Sequence, residues 1–188
     1  MSQILIEIDK RRANRALSAE PVPAQVISRI MTAATYAPSC FNSQSWRFLV
    51  ATEPEALENM RSALTEGNYW AKKAPVLIAV VTRKNLDCKH SDGGEYAFFD
   101  CGLATQNLLL QAVKEGLYAH PMAGFNPLAV KNAFTIPESF TVITLIAVGF
   151  PGSDSHLSDK HLAAEKSVRS RKAESQVIFY NSWNDTIR

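Results

Sequence analysis

Between Ala37 and Phe48 the chain reads Ala-Pro-Ser-Cys-Phe-Asn-Ser-Gln-Ser-Trp-Arg-Phe, with side-chain amides held inside a single bend. Asn42 and Gln44 each offer a donor and an acceptor, while Pro38 and Ser39 favour a tight turn. The run therefore suits a flat, hydrogen-bonding ligand, or else a structural Asx/Ser turn anchored by Trp46. Basic clusters stand near both ends: Lys10-Arg11-Arg12-Ala13-Asn14-Arg15 and Arg169-Ser170-Arg171-Lys172. Guanidinium forks suit bidentate capture of phosphate, so the two clusters could converge on one phosphate; a pair of solvated charge runs is the alternative. Nucleic acid would ask for a broader basic face with interleaved aromatics, for which Arg47 and Phe41 are thin support.

The remaining reactive side chains favour structural readings. Cys40, Cys88 and Cys101 form an odd set with no CxxC pair and no histidine at ligand spacing, which argues against a disulfide framework and a zinc site and for a reducing cytoplasm. Neither Cys40 nor Cys101 has a nucleophile's context. His90, His156 and His161 lie in polar segments and read as surface residues. His120, beside Pro121, reads as a satisfied structural histidine or as a proton donor at a substrate face. Trp70 and Phe125 either wall a pocket or pack.

The elements that must position these residues come from one compact core. A chain of 188 residues, 46% hydrophobic and 20% charged, suits a single domain and is too apolar for disorder. Its formal charge of +2 sets up no field that demands nucleic acid or an acidic membrane. Met1 to Ile4 carries no basic region ahead of an apolar run, and nothing reaches the roughly 18 apolar residues of a membrane span. A soluble, unexported, cytoplasmic protein with no membrane or nucleic-acid partner is expected.

Residues 4–10 suggest a short helix. Pro23 opens a second, with Val22, Val26, Ile27, Ile30, Met31 and Ala34 at helical spacing. Phe48 to Thr52 reads as a strand, Pro54 to Leu64 as a helix, and Val76 to Thr82 as a continuous apolar strand buried on both faces. A polar loop, 83–92, leads to a long helix from about Glu95 to Glu115 that stops at Gly116. Tyr118 to Met122 looks extended, Asn126-Pro127 caps a helix through Phe134, and Val142 to Val148 gives another buried strand.

Phe98, Phe99, Cys101, Leu103, Ala104, Leu108, Leu109, Leu110, Ala112 and Val113 cover more than one face of the long helix. A helix apolar nearly all round is buried nearly all round, and a second copy of the chain is the expected cover. After a polar, basic linker, 156–172, Gln176 to Tyr180 reads as a strand able to join a partner's sheet.

In combination these segments resemble the nitroreductase family of flavin enzymes over most of the chain. Arg11-Arg12-Ala13-Asn14-Arg15 is similar to that family's Arg-Arg-Ser-x-Arg phosphate segment, and Pro38 to Trp46 to its Pro-Ser-x-x-Asn-x-Gln-Pro-Trp loop. The agreement continues in Gly67-Asn68 ahead of Ala74-Pro75, in Gly102 to Leu110, in Pro121-Met122-Ala123-Gly124-Phe125, and in Arg169-Ser170-Arg171 with Val177 to Tyr180. The resemblance implies an α+β fold, an α/β sandwich whose mainly antiparallel sheet is flanked by helices and takes a C-terminal strand from the partner. It implies one domain over 1–188, with 153–188 a basic linker and dimer-exchanging arm, and a homodimer with FMN at the interface.

By the same resemblance Arg11, Arg12, Ala13, Arg169 and Arg171 hold the FMN phosphate and Arg15 approaches the pyrimidine side of the ring. Pro38, Ser39, Cys40, Asn42 and Gln44 line the ribityl chain and ring edge, across the dimer. Met122, Ala123 and Gly124 turn backbone amides to flavin N5, and Asn68 sits at the ring edge. Ala13 replaces the family's serine, Ser45 its proline before Trp46, and Tyr69-Trp70 follow where many members carry lysine. The implied activity is hydride transfer from NADH or NADPH through the flavin to a nitroaromatic, quinone or similar acceptor by a ping-pong route, with no side chain catalytic. A non-catalytic FMN-binding or sensing protein, and a basic-armed nucleic-acid binder, are the alternatives.

Overall fold

A computed structural model describes residues 4–86, 88 and 95–183. Helices α1 (Ile6–Lys10) and α2 (Ala24–Thr35) precede β1 (Arg47–Ala51), α3 (Pro54–Ser62) and β2 (Val76–Thr82). Then follow α4 (Tyr96–Lys114), β3 (Tyr118–Met122), α5 (Pro127–Ala133), β4 (Thr141–Gly149) and α6 (Asp159–Lys166). The strands form an antiparallel sheet in the order β1-β2-β4-β3, so the fold is α+β.

Strand periodicity divides the interior into two cores. On β2, Leu77, Ala79 and Val81 face a cluster with Met60, Trp70 and Leu145, whereas Val76, Ile78 and Val80 face another with Ile30, Leu108 and Ile146. Burial on both faces explains why β2 is apolar at nearly every position. Each fully buried Leu, Ile or Val contributes about 1.5–3 kcal/mol. The second core is roofed by α2 on α4, tied by Arg29 to Glu115 at 2.7 Å and by the Asn107 amide to the Ala33 carbonyl at 3.2 Å. Helix α4 ends where Gly116 takes φ 77°, and the Asn126 side chain caps α5 by accepting from the N–H groups of Leu128 and Ala129.

The same alternation sets the site. Ala119 joins the second core, while Tyr118 and Met122 pack on the first. His120 thus points to the side of Trp70.

The C-terminal segment differs in part from expectation. The segment expected as a linker contains α6, which packs back on the body: the Tyr69 hydroxyl accepts from the Ser158 N–H at 2.6 Å, and the Tyr69 and His161 rings stack at 5.5 Å. Gln176 to Tyr180 forms no strand here; a 3-10 turn at Glu174–Gln176 is followed by irregular chain with Val177, Ile178 and Tyr180 exposed. A β-branched and aromatic run has no ladder without a neighbouring strand. His90 lies outside the described residues. No helix among those described is long and apolar enough to cross a membrane.

Candidate functional site

The two arginine clusters meet. Arg11, Arg12, Ala13, Asn14 and Arg15 form one wall of a cavity of about 300 Å³, and Glu165, Ser167, Arg169, Ser170 and Arg171 form the other. The solvated-run alternative predicts separate clusters, and the chain instead crosses more than 150 residues of sequence to crowd them, as in the bond from Arg12 to the Ser167 carbonyl. Burial, followed by the charges of Arg169, Arg171 and Arg12, lowers the pKa of Arg11. Glu165 is the acid lining this cavity. Its carboxylate accepts from Asn14 Nδ2 at 2.8 Å, Arg15 N–H at 2.8 Å and Ala16 N–H at 3.4 Å, so it is engaged by backbone and an amide.

The arginines divide their work. Arg169 donates to the carbonyls of Ile8, Asp9 and Arg11, closing the C-terminal end of α1. Arg12 reaches the Ser167 carbonyl and Arg171 that of Ser170. Arg11 forms no ion pair among the described residues. A cavity so lined fits a compact dianion such as a phosphate monoester.

Beside the cavity, the Arg15 guanidinium lies 5.7 Å from the centroid of the Trp70 ring. Trp70 is buried, and its ring lies 4.6 Å from that of His120. His120 Nδ1 sits 3.1 Å from the Asn14 carbonyl; a carbonyl only accepts, so the proton is on Nδ1. Burial first, opposed by that carbonyl and reinforced by Arg15, lowers the imidazole to about 4. A neutral, buried histidine bonded to backbone fits the structural reading and not that of a proton donor.

Met122 is buried, Ala123 is exposed and Gly124 is held from below. The Gly124 carbonyl accepts from Thr65 N–H at 3.1 Å, Thr65 Oγ1 at 2.9 Å and Asn68 Nδ2 at 2.8 Å. A Cβ on Gly124 would meet Thr65 Oγ1 at 2.6 Å and Asn68 Nδ2 at 2.8 Å. Glycine permits this close approach without displacing the Thr65 and Asn68 side chains. Asn68 therefore orients the 122–124 segment, whatever else its Oδ1 reaches.

The Pro38 to Gln44 loop does not line this cavity. Phe41, Asn42 and Gln44 take φ of 48°, 57° and 47°, conformations that cost non-glycine residues about 1 kcal/mol or more each. Local bonds hold them: Asn42 N–H to Ser39 O, Gln44 N–H to Ser39 Oγ, and Cys40 N–H to Asp100 Oδ2 at the start of α4. Asn42 and Gln44 remain exposed, and Phe41 is 95% exposed. Ser45 is fully buried, its hydroxyl without a partner and its carbonyl accepting from Thr82 Oγ1 at 2.8 Å.

Contrary to the reading from cysteine spacing, Cys40 and Cys88 form a disulfide, with Cα atoms 6.0 Å apart. Cys101 is buried and stands outside that bridge. No cluster of three or more His, Cys, Asp or Glu among the described residues could hold a metal. Glu165, Thr65 and the Trp70–His120 pair escape a motif search. Only Ser158, an N-cap whose hydroxyl accepts from the His161 N–H, marks the helix that delivers Glu165.

The geometry has clear relatives. A solved structure of an FMN-containing oxidoreductase superimposes with a TM-score of 0.84 at 32% identity, covering 98% of this chain and 96% of that one. A nitroreductase family protein of Clostridium difficile 630 has the same fold, with a TM-score of 0.79, 23% identity, and coverage of 96% of this chain and 100% of that one. A Methanothermobacter thermautotrophicus protein with a provisional NADH dehydrogenase/NAD(P)H nitroreductase name is 31% identical over 80% of this chain and 78% of its own. The Thermus thermophilus NADH dehydrogenase is 27% identical over 80% of this chain and 88% of its own. Because the model of the nitroreductase family also matches residues 8–68 and 63–150, the chain belongs to the nitroreductase family.

Proposed function

We propose that the protein is an FMN-dependent NAD(P)H oxidoreductase that reduces small conjugated acceptors such as nitroaromatics or quinones. The carrying observation is the cation-lined cavity, whose acid is already engaged by backbone. Arg11, without an ion partner and desolvated among like charges, is the strongest ligand for the FMN phosphate, with Arg12 and Arg171 beside it and Arg169 bracing α1. Ala13 brings no hydroxyl, and Asn14 commits its amide to Glu165, so Ser170 and backbone N–H groups take that role. Arg15 approaches the pyrimidine side, where a fixed cation favours the negative charge of reduced flavin. Met122 to Gly124 face the ring centre and Asn68 its edge. When bound, FMN supplies the hydride-carrying centre for alternate oxidation of NAD(P)H and reduction of the acceptor.

The functional form is a homodimer. Ile4, Leu5 and Ile6, together with Phe98 and Phe99 of α4, leave large apolar side chains exposed on the single chain. Pro38, Ser39, Cys40, Asn42 and Gln44 stand away from the cavity of their own chain, so they complete the flavin site of the partner. Beyond the arginines of the cavity, the segment from Gln176 to Tyr180 crosses to the partner's sheet. Single-site residues supply no acid or base: they bind, orient and exclude water.

The test is anaerobic reduction of FMN-loaded protein with NADH and with NADPH, followed by a panel of acceptors. Bleaching of bound flavin and its reoxidation by acceptor are expected; a flavin that neither nucleotide reduces rejects the enzymatic reading. Arg11→Ala and Arg171→Ala are expected to lose FMN on gel filtration, and full retention in both rejects the phosphate assignment.

A further inference from the structure

We propose that Trp70 and His120 are positioning residues that hold the Arg15 guanidinium against the flavin and so make the bound flavin easier to reduce. The proposal rests on the reading of Arg15 given above.

Arg15 makes no ion pair among the described residues. An arginine left to solvent samples many rotamers and stabilises a developing charge weakly, whereas a fixed one acts without reorganisation. What fixes it is a stack. Its Cζ lies 5.7 Å from the indole centroid of Trp70, within cation–π range. Trp70 is 1% exposed and cannot swing away. The His120 ring packs against the indole, its centroid 4.6 Å off and its plane tilted by 38°.

The backbone is gripped as well. His120 donates from Nδ1 to the Asn14 carbonyl, the peptide that ends at the Arg15 nitrogen, and the Arg15 N–H donates to Glu165. The peptide is thus held at both its oxygen and its hydrogen, by β3 and by α6. Neutrality of His120 matters to the stack. A second cation against the same indole would compete with Arg15 for the ring and repel it, and the burial that keeps His120 neutral removes that competition.

The experiment measures the midpoint potential of bound FMN, and the dissociation constant of oxidised FMN, in the full-length protein and in Arg15→Gln, Trp70→Phe, Trp70→Leu, His120→Gln and His120→Leu. Arg15→Gln is expected to weaken reduced relative to oxidised flavin by about tenfold, which is about 30 mV more negative for a two-electron couple. Trp70→Leu and His120→Leu should shift the potential in the same direction, and neither should add to Arg15→Gln in a double variant. Trp70→Phe and His120→Gln, which keep an aromatic face and a donor, should recover most of the wild-type potential.

If Arg15→Gln leaves the potential unchanged, Arg15 does not meet the ring, and the site reading falls together with this proposal. If Arg15→Gln shifts it while His120→Leu and Trp70→Leu lower only the melting temperature, the site reading stands and the proposal fails. Should Trp70→Leu not fold, the two His120 variants and Trp70→Phe decide the question.

Discussion

The carboxylate of Glu165 accepts the backbone N–H of Arg15 at 2.8 Å, joining α6 to a segment 150 residues earlier in the chain. The same group takes the Asn14 amide and the Ala16 N–H. A glutamine offers one acceptor oxygen and an NH2 that would oppose a donor. Glu165→Gln is therefore expected to cost about 1–3 kcal/mol, read as a lower urea midpoint at unchanged slope. Wild-type stability in that variant would remove the clamp from the account of the site.

Gly152 and Gly124 both sit against this framework, yet their alanine variants should differ. A Cβ at Gly152 would meet backbone atoms of Leu17 and Ser18, the nearest at 2.5 Å, whereas at Gly124 it would meet the side-chain ends of Thr65 and Asn68. Side chains can turn; paired backbone cannot, and here Gly152 N–H bonds the Ala16 carbonyl and Ser18 N–H the Phe150 carbonyl. Gly152→Ala is expected at the upper end of about 1–3 kcal/mol and Gly124→Ala lower. Equal or reversed losses in thermal melts would contradict the contact geometry.

The elements that follow from local pattern are those whose environment is uniform. Strands β2 and β4 announce themselves as apolar runs because both faces are covered, and α4 because Leu108, Leu109 and Ala112 recur on its buried side. The arginine clusters are visible by composition alone. Glu165 is not, since α6 has little apolar content and docks through Tyr69 and the 14–16 backbone rather than through a hydrophobic stripe. The run Val177 to Tyr180 has strand composition without a strand, because composition records what a neighbour would find and not whether one is present. Cys40 and Cys88, 48 residues apart, pair only because two loops meet.

That disulfide gives a direct test of how the 38–44 loop is anchored. Closing a loop of 48 residues removes chain entropy worth about 4 kcal/mol from the unfolded state. Cys88→Ser should lower stability by up to about that amount, and a phosphine reductant should bring the wild type down to the variant while leaving the variant unmoved. Identical urea curves for wild type with and without reductant would show that the bridge carries no stability.

Protonation of His120 should make the fold acid-sensitive in a defined window. Its folded pKa, about 4, lies below the ordinary 6.5, so below pH 6.5 the unfolded chain binds a proton that the folded chain refuses. Stability is then complete above about pH 6.5 and declines as pH falls toward 4, by about 3 kcal/mol in total. Burial sets the value first; the Asn14 carbonyl and the Glu165 charge oppose it, and the Arg15 charge adds to it. His161 shifts in the same direction, through burial and then Arg15 and Lys160, so it adds to the slope. Glu115, lowered to about 2 mainly by its bond to Arg29, gives its full stabilisation above about pH 4.5 and loses it as pH falls from there toward 2, so it adds to the slope only at the acid edge of this window. Urea denaturation at half-unit pH steps should give a slope between pH 6.5 and 4 that His120→Gln removes in large part and His161→Gln only slightly. A slope unchanged in His120→Gln would mean that the imidazole is not held neutral by the fold.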